Sequence, residues 1–291
     1  MKPADFEFLS QLVNKRSGLV LTTDKAYLLE SRLMPVARKR GMKGLEDLIS
    51  TIRTSQEESL LCEVTEAMTT NESFFFRDLK PFDTFRDVIL PDLLASRAAN
   101  KSFRIWCAAS SSGQEPYSLA MVMKEQAAKL TGWSHEIIAT DISTKMLAKA
   151  EKGIYSQFEV QRGLPIQMLL KYFKKANDAW QIDPSLRDMV TYKEFNLLND
   201  PTALGAFDVV FCRNVLIYFD QPTKTRILDW ISRMIPADGR LFLGGAETVL
   251  GITDKFKLIP GRRGVYCLAE SVPAAAAAAP AVAAKVGAAA S

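Results

Sequence analysis

The first group of candidate functional residues follows an apolar stretch at residues 102–109 and consists of a run of small residues and an acid. The run is Ser110-Ser111-Ser112-Gly113, and Glu115 and Pro116 follow it. A strand, a small-residue turn and a helix start form the junction at which a ligand approaches bare backbone at the edge of an α/β sheet. Proline suits the first helical position, because its missing N–H is not needed there. The dinucleotide fingerprint GxGxxG is absent, so a tightly packed turn without a ligand is an equally good interpretation.

Two further predicted strands also deliver polar groups to their ends. Asp141 lies at the tip of a strand at residues 136–142, where a carboxylate can accept two ribose hydroxyls at once. Asp141 as the cap of the next helix is the alternative, although Ser143 is better placed for capping. The strand at residues 207–213 is followed or ended by Arg213, Asn214 and Tyr218. Polar groups beside a buried strand are costly unless satisfied, which predicts that they face a ligand or a partner.

A polar and aromatic motif, Thr70-Asn71-Glu72-Ser73-Phe74-Phe75-Phe76-Arg77, separates two parts of the chain. Its three phenylalanines, beside Asn71, Ser73 and Arg77, suit a site for a flat ring and a carboxylate. A hydrophobic contact that joins two domains is the alternative interpretation, and the two are compatible.

The parts on either side of this motif differ in hydrophobic periodicity. Helical spacing prevails up to about residue 100, where a helix at 82–98 is expected to end or kink at Pro91. From residue 102 strands alternate with helices, which predicts an α/β fold with a mostly parallel, doubly wound sheet and one antiparallel strand in a closing hairpin. Residues 155–187 interrupt this alternation and suggest an inserted subdomain over the site. The alanine-rich tail, residues 271–291, has no core to join, and we expect it to be disordered.

Composition excludes several kinds of site. The 291-residue chain has one histidine, His135, so we expect no metal site and no Ser-His-Asp triad. Its four cysteines form no CxxC motif, which favours a reducing cytoplasm. The apolar runs are strand-sized and the N-terminus lacks a secretory core, which predicts neither a membrane-spanning helix nor a signal peptide. The net charge of +4 does not by itself indicate nucleic-acid binding.

Taken together, four motifs in this order resemble the CheR family of chemotaxis-receptor glutamate methyltransferases. They are residues 70–77, residues 108–118, Ala139-Thr140-Asp141 and residues 211–220, and the resemblance extends over roughly residues 5–269. It implies a class I methyltransferase fold that is Rossmann-like and mostly parallel. The implied domains are a helical one at 1–78 and a SAM-binding one at 79–270, with a small β subdomain inserted at about 155–187. The sequence departs from the family at Gln114, where glutamate is frequent, and at Ser73, where threonine is common.

The resemblance also implies ligands and roles. S-adenosyl-L-methionine (SAM) would be the methyl donor, S-adenosyl-L-homocysteine (SAH) the product, and glutamate side chains of a chemoreceptor cytoplasmic domain the acceptors. Tyr218 is the candidate for orienting the substrate, and Arg77 for holding either the cofactor's carboxylate or the incoming glutamate. The cofactor contacts implied are Asn71, Ser73, Arg77, Glu115, Asp141, Asn196, Leu197, Arg213 and Asn214.

This reaction needs no general base. A glutamate side chain has an unperturbed pKa of about 4.3, so it is already ionised at neutral pH. Catalysis would consist mostly of alignment of oxygen, methyl and sulfur and of desolvation of the attacking carboxylate. A chain with one histidine is compatible with such chemistry.

The second predicted helix is the expected docking surface for the receptor. Between residues 25 and 40 the basic residues oppose only Glu30, and they are Lys25, Arg32, Arg38, Lys39 and Arg40. Such a surface would attract a receptor helix that presents several glutamates. An ordinary solvated helix face is the alternative.

Other functions stay open at this point. A class I methyltransferase acting on a nucleic acid or a small molecule would use the basic helix to grip phosphates. A non-catalytic module could bind the cofactor and report it to a partner, whereas the missing glycine fingerprint disfavours an oxidoreductase. Our expectation is a cytoplasmic monomer with no nucleic-acid partner and no membrane insertion. Whether it also binds a receptor's C-terminal tether peptide is left open by the sequence.

Overall fold

A computed structural model of the chain describes residues 1–271, and the alanine-rich tail whose disorder we expected lies beyond these residues. The N-terminal part consists of helices α1 (Pro3–Ser17), α2 (Ala26–Lys39), α3 (Leu45–Ser55) and α4 (Glu58–Met68). Residues three or four apart, such as Leu29 and Leu33, are fully buried in a core that these helices share. Gly18 ends α1 in a left-handed conformation with φ 76°, and its amide donates to Asn14 O at 2.7 Å.

The connection to the second part is helical. Helices α5 (Lys80–Thr84) and α6 (Leu90–Ser96) are joined by a π-helical turn, Phe85–Ile89. Pro91 does not end the helix as one form of our prediction held. The wider π turn comes directly before it, where a proline lacks its N–H and crowds the preceding turn.

Among residues 1–271, ten strands form two sheets. They are β1 (Ser102–Ala108), β2 (Ser134–Asp141), β3 (Ile154–Ser156), β4 (Phe173–Ala176), β5 (Ala179–Ile182), β6 (Val190–Glu194), β7 (Val209–Cys212), β8 (Arg240–Leu243), β9 (Phe256–Leu258) and β10 (Val265–Leu268). The large sheet has the order β6-β2-β1-β7-β8-β10-β9, and β10 alone runs against the other six strands. This confirms the predicted mostly parallel sheet with one antiparallel strand in a closing hairpin.

Helices cover both faces of the large sheet. Helix α7 (Gln114–Glu125) packs in the core on one face and α12 (Gln221–Met234) in the core on the other, whereas α8 (Thr144–Lys152) lies beside β2 and β6. In the inserted segment, α9 (Gln157–Gln161) and α10 (Ile166–Tyr172) pack against the small sheet and α11 (Pro184–Arg187) against α7. Successive strand residues point to opposite faces, so Ile105 and Cys107 join one core whereas Trp106 and Ala108 join the other. The helix α7 begins at Gln114, which places Pro116 third rather than first, still within the turn whose N–H groups have no partner in the helix.

The small sheet has the antiparallel order β3-β5-β4. It lies within the inserted segment and confirms the small β subdomain that the resemblance implied. Phe75 of the linker motif packs edge-on against Tyr155 and Phe173, with ring centroids 5.0 and 5.5 Å apart. The insertion is therefore held against the start of the second part by aromatic packing. Over residues 1–271 we find no helix that combines the length and the apolar character needed to cross a membrane.

Candidate functional site

An open cleft lies at the carboxyl ends of the parallel strands β1, β2, β6 and β7. This is where ligands bind in open α/β sheets. The sequence-predicted residues that line it are Asn71, Ser73, Arg77, Glu115, Asp141, Asn196, Leu197, Arg213, Asn214 and Tyr218. The structure thus brings together all ten residues predicted for the cofactor and for catalysis.

The turn after β1 has an unusual backbone. Ala109 and Ser111 have positive φ angles of 59° and 50°, a region that residues with a side chain seldom adopt. Ser111 is fixed from two sides, since its N–H donates to Asp141 Oδ2 at 2.8 Å and its hydroxyl to Asn71 O at 2.9 Å. At Gly113, with φ 91°, a Cβ would lie 2.6 Å from the Tyr192 hydroxyl. Strained turns of this kind persist where the surroundings over-determine them, as at ligand sites.

Asp141 does not cap the helix that follows it. Ser143 does, as its hydroxyl accepts from Met146 N at 3.3 Å. Each carboxylate oxygen of Asp141 accepts one backbone N–H, from Ser111 and from Ser143. Burial raises the pKa of Asp141, and the two N–H groups oppose that rise. Since an ionised carboxylate offers about four acceptor positions, Asp141 keeps capacity for a ligand in the cleft.

A buried ion pair joins β7 to the start of α7. The Arg213 side chain is 1% exposed, and its Nη1 donates to Glu115 Oε2 at 2.6 Å. Its Nη2 donates to Asp78 Oδ2 at 2.6 Å and to Arg77 O at 3.0 Å. Burial raises the pKa of Glu115, and the Arg213 cation opposes that rise. Arg213 therefore spends two nitrogens on protein partners, while Glu115 Oε1 accepts no hydrogen bond from residues 1–271.

Asn196 also has internal partners. Its Nδ2 donates to Arg16 O at 2.6 Å, and its Oδ1 accepts from Leu198 N at 3.0 Å. The first bond brings the end of α1 to the cleft, where Ser17 and Leu19 join the lining. These two were missed by the sequence analysis, because no local pattern announces a contact between positions 180 residues apart.

The three phenylalanines of the linker motif lie in two different environments. Phe74 lines the cleft, whereas Phe75 and Phe76 are buried in the core. The Arg77 guanidinium lies over the Phe74 ring, 5.3 Å from its centre, and donates to Glu72 O at 3.1 Å. One ring therefore faces the cleft, whereas the core that holds the other two contains, within residues 1–271, no residue of α1–α4, so the structure does not show the predicted hydrophobic contact between the two domains at these rings.

Ser110 is a further residue that the sequence analysis did not assign. It lines the cleft, and its buried hydroxyl has no hydrogen-bond partner within the described part of the chain. Buried hydroxyls without partners are rare in folded proteins. The signal that could have found it is its place as the first serine after an apolar strand.

The basic face of α2 is less free than the sequence suggested. Lys39 pairs with Glu63 at 2.9 Å, and Arg40 pairs with Glu57 at 2.9 Å and with Glu63 at 3.3 Å. These acids belong to α4 or directly precede it, so a count of charges within residues 25–40 leaves out the acids that pair with Lys39 and Arg40. Sequence spacing within one helix cannot show the charges of the helix packed beside it.

Arg32 is also engaged, since its Nη1 donates to Met68 O at 2.6 Å, one of the unpaired carbonyls at the end of α4. Lys25 and Arg38 are exposed, and neither has an ion pair among residues 1–271. They are the two members of the predicted docking set whose charges face solvent without a partner in that part of the chain.

Comparison with known proteins identifies the family. The profile described as "CheR methyltransferase, all-alpha domain" matches residues 4–69, and "CheR methyltransferase, SAM binding domain" matches residues 71–265. The chain belongs to the CheR methyltransferase family. It is 39% identical over 266 residues to a chemotaxis protein methyltransferase 1 of Pseudomonas aeruginosa, covering 90% of this chain and 96% of that one. It is 37% identical over 265 residues, with the same coverage, to the chemotaxis protein methyltransferase Cher2 of Pseudomonas putida.

The family assignment fixes the coarse chemistry. The chain is a methyltransferase with a SAM-binding domain, and that domain contains the cleft and its polar lining from Asn71 onward. The all-alpha domain contributes Ser17, Leu19 and Thr69 to the lining, and these residues form part of the cleft wall.

Proposed function

We propose that this CheR-family protein transfers the methyl group of SAM to specific glutamate side chains of a chemoreceptor cytoplasmic domain, giving glutamyl methyl esters. The observation that carries the proposal is one cleft in which all the predicted cofactor and catalytic residues meet and whose lining contains no histidine. The relatives named chemotaxis protein methyltransferases support the acceptor class. We propose that the reaction takes place in the cytoplasm, on a monomer of the protein.

The residues of the cleft fit SAM. A carboxylate oxygen of Glu115 and the acceptor capacity left on Asp141 suit an ammonium and two ribose hydroxyls. The orphaned hydroxyl of Ser110 adds a buried polar group that a ligand can satisfy. Leu197 and Phe195 offer apolar surface for the adenine, and Phe74 for a second flat or apolar group.

Bound SAM supplies a methyl group on a positively charged sulfur. The acceptor carboxylate arrives ionised, so no side chain has to remove a proton from it. The work of the protein is to hold the two reactants in line and to exclude water from the carboxylate, which raises its reactivity. Tyr218 lies at the cleft on a turn that Val20 N holds through Tyr218 O at 3.0 Å, and we assign it the orientation of the acceptor.

The docking surface proposed for the receptor runs along α2, with Lys25 directly before its first residue and Arg38 in its last turn as the free cations. Three of the five basic residues are already engaged within the protein, which weakens the alternative of a helix that grips nucleic-acid phosphates. A contact of the inserted β subdomain with a receptor's C-terminal tether peptide is part of the proposal for receptors that carry one.

The deciding experiment is base-labile methyl incorporation from labelled SAM into a chemoreceptor cytoplasmic fragment. The matched control is the same fragment with its methyl-accepting glutamates changed to alanine. Label that appears only with the glutamates present supports the proposed acceptor. Binding of SAH by calorimetry without any label would retain the cofactor site and reject the acceptor.

The role of Arg77 is separable in the same assay. Its guanidinium has donors free beyond the one bound to Glu72 O, so it can serve either carboxylate. Weaker SAH binding in Arg77→Ala would assign it to the cofactor. A raised KM for the receptor fragment with unchanged SAH affinity would assign it to the acceptor glutamate.

A further inference from the structure

The turn that follows β7 carries two of the predicted site residues that line the cleft, Asn214 and Tyr218, but it belongs to no β-sheet. Asn214 has a positive φ of 59°, so the chain leaves the sheet in a strained conformation. Backbone N–H groups in such a turn need acceptors from elsewhere, because a buried donor without a partner is costly.

A single carboxylate supplies these acceptors. Glu247 lies in the segment after β8, is 9% exposed, and does not line the cleft. Its Oε2 accepts from Asn214 N at 2.7 Å and Gly244 N at 2.6 Å. Its Oε1 accepts from Val215 N at 2.9 Å and from Ile217 N at 3.3 Å.

An ionised carboxylate is the side chain that matches this arrangement. It offers acceptors only, about four positions on two oxygens, and the backbone here presents four donors. In a glutamine of the same size, an NH₂ group takes the place of one carboxylate oxygen. Its two N–H donors would then face backbone N–H donors instead of accepting from them. Hydrogen bonds to a charged acceptor are also roughly twice as strong as neutral ones.

We propose that Glu247 is a positioning residue for methyl transfer, which fixes Asn214 at the cofactor and Tyr218 at the acceptor through the backbone of residues 214–217. The inference rests on the proposed function of the cleft, and it adds a residue that touches neither reactant. It explains why an acid stands at a position remote from the motifs that carry the family resemblance.

The test compares Glu247→Gln with Asp254→Asn, an exposed acid a few residues further on. Both are assayed at a temperature at which thermal unfolding shows the variant to be fully folded. We expect Glu247→Gln to weaken SAH binding by about tenfold, which corresponds to about 1.4 kcal/mol of binding free energy. The kcat at saturating SAM should fall by at least the same factor. KM for the receptor fragment should stay within about twofold, because within residues 1–271 neither Lys25 nor Arg38 has a hydrogen bond or an ion pair with Glu247 or with the turn it holds. Asp254→Asn should match the wild type.

A merely structural role would lower the melting temperature and leave SAH affinity and kcat of the folded protein unchanged, and that outcome would overturn the inference. If Glu247→Gln does not fold, Glu247→Asp takes its place, since it keeps the charge but withdraws it by one methylene, and wild-type affinity and turnover there would equally overturn it. SAH calorimetry needs no acceptor. A wild type that binds SAH but labels no receptor would therefore reject the proposed acceptor while leaving the role of Glu247 decided by the affinity comparison.

Discussion

Arg213 and Glu115 form an ion pair of 2.6 Å beside the cleft, between the end of β7 and the first turn of α7. Arg213 is almost completely buried, and the other carboxylate oxygen of Glu115 has no hydrogen-bond partner among residues 1–271. Burial raises the pKa of Glu115, and the Arg213 cation opposes this effect, so Glu115 can carry a negative charge beside the cleft. The consequence is that the charge of Glu115, and with it the affinity for a cationic group, depends on pH.

The affinity for SAH should fall on acidification. The Glu115 pKa lies above its ordinary value of 4.5 because of burial, so the carboxyl takes up a proton at a higher pH than an exposed glutamate does. A protonated Glu115 cannot attract an ammonium group, so SAH binding should weaken as the pH falls through this raised pKa and level off above it. Calorimetry over a pH series measures the effect.

Two variants assign the titration. Glu115→Gln should bind SAH more weakly at neutral pH and lose most of the pH dependence. Asp141→Asn serves as the comparison, because burial raises the Asp141 pKa too. An undiminished pH dependence in Glu115→Gln would contradict the assignment. The raised pKa of Glu115 also affects the free energy of unfolding. Protonation of Glu115 stabilises the folded state at low pH, and this stabilisation is lost as the pH rises through the pKa that Glu115 has in the folded state.

Removal of Arg213 should destabilise the fold as well as the site. Arg213→Met leaves Glu115 buried without its cation, and breaking a buried pair at one end costs about 3–5 kcal/mol. Urea unfolding measures this loss. The double variant Arg213→Met with Glu115→Gln removes both charges and should recover part of it. A single variant no less stable than the double one would show that the pair contributes little.

The comparison of sequence and structure shows which features local patterns can predict. Asp141 and Arg213 both line the cleft, as expected for residues at the ends of neighbouring parallel strands, since the carboxyl ends of such strands lie at the same edge of the sheet. The partners of those residues could not be predicted, because Asp78 and Arg213 are 135 positions apart. The same holds for Glu247, whose role appears only once the turn after β7 is folded against it.

The basic face of α2 shows a second limit. Its five cations follow from the sequence, but their availability depends on the acids of α4, which the fold places alongside. A count of charges along one element therefore overstates the field that a partner meets.

Charge reversal on α2 should act only at exposed positions. Lys25→Glu with Arg38→Glu is expected to lower kcat/KM for the receptor fragment by about threefold to tenfold at low salt, through slower association with an acidic partner. Salt should shrink the difference, since it screens exposed charges. SAH affinity should not change. Lys257→Glu, an exposed lysine of the edge strand β9, is the matched control and should behave like the wild type. Equal losses in the control variant would argue against a defined docking surface.

Two adjacent glycines after β8, Gly244 and Gly245, test how tightly the residues beside the cleft are packed. A Cβ at Gly244 would lie 2.5 Å from Asn214 Nδ2 and 2.8 Å from Glu247 Oε2, whereas a Cβ at Gly245 would meet nothing within 4 Å. Neither glycine has a positive φ, so the difference between their alanine variants reports space and not backbone strain. Gly244→Ala must push Asn214 or the Glu247 carboxylate aside. We expect it to cost about 1–3 kcal/mol of unfolding free energy, as overpacking does, and to weaken SAH binding.

Gly245→Ala should leave both quantities within error of the wild type. Thermal unfolding and SAH calorimetry on the two variants, one residue apart, separate an effect of the turn from a general effect of the segment. If Gly244→Ala bound SAH normally despite a lower stability, SAH affinity would not depend on the placement of Asn214 by Glu247, because the added methyl displaces one or the other of these side chains.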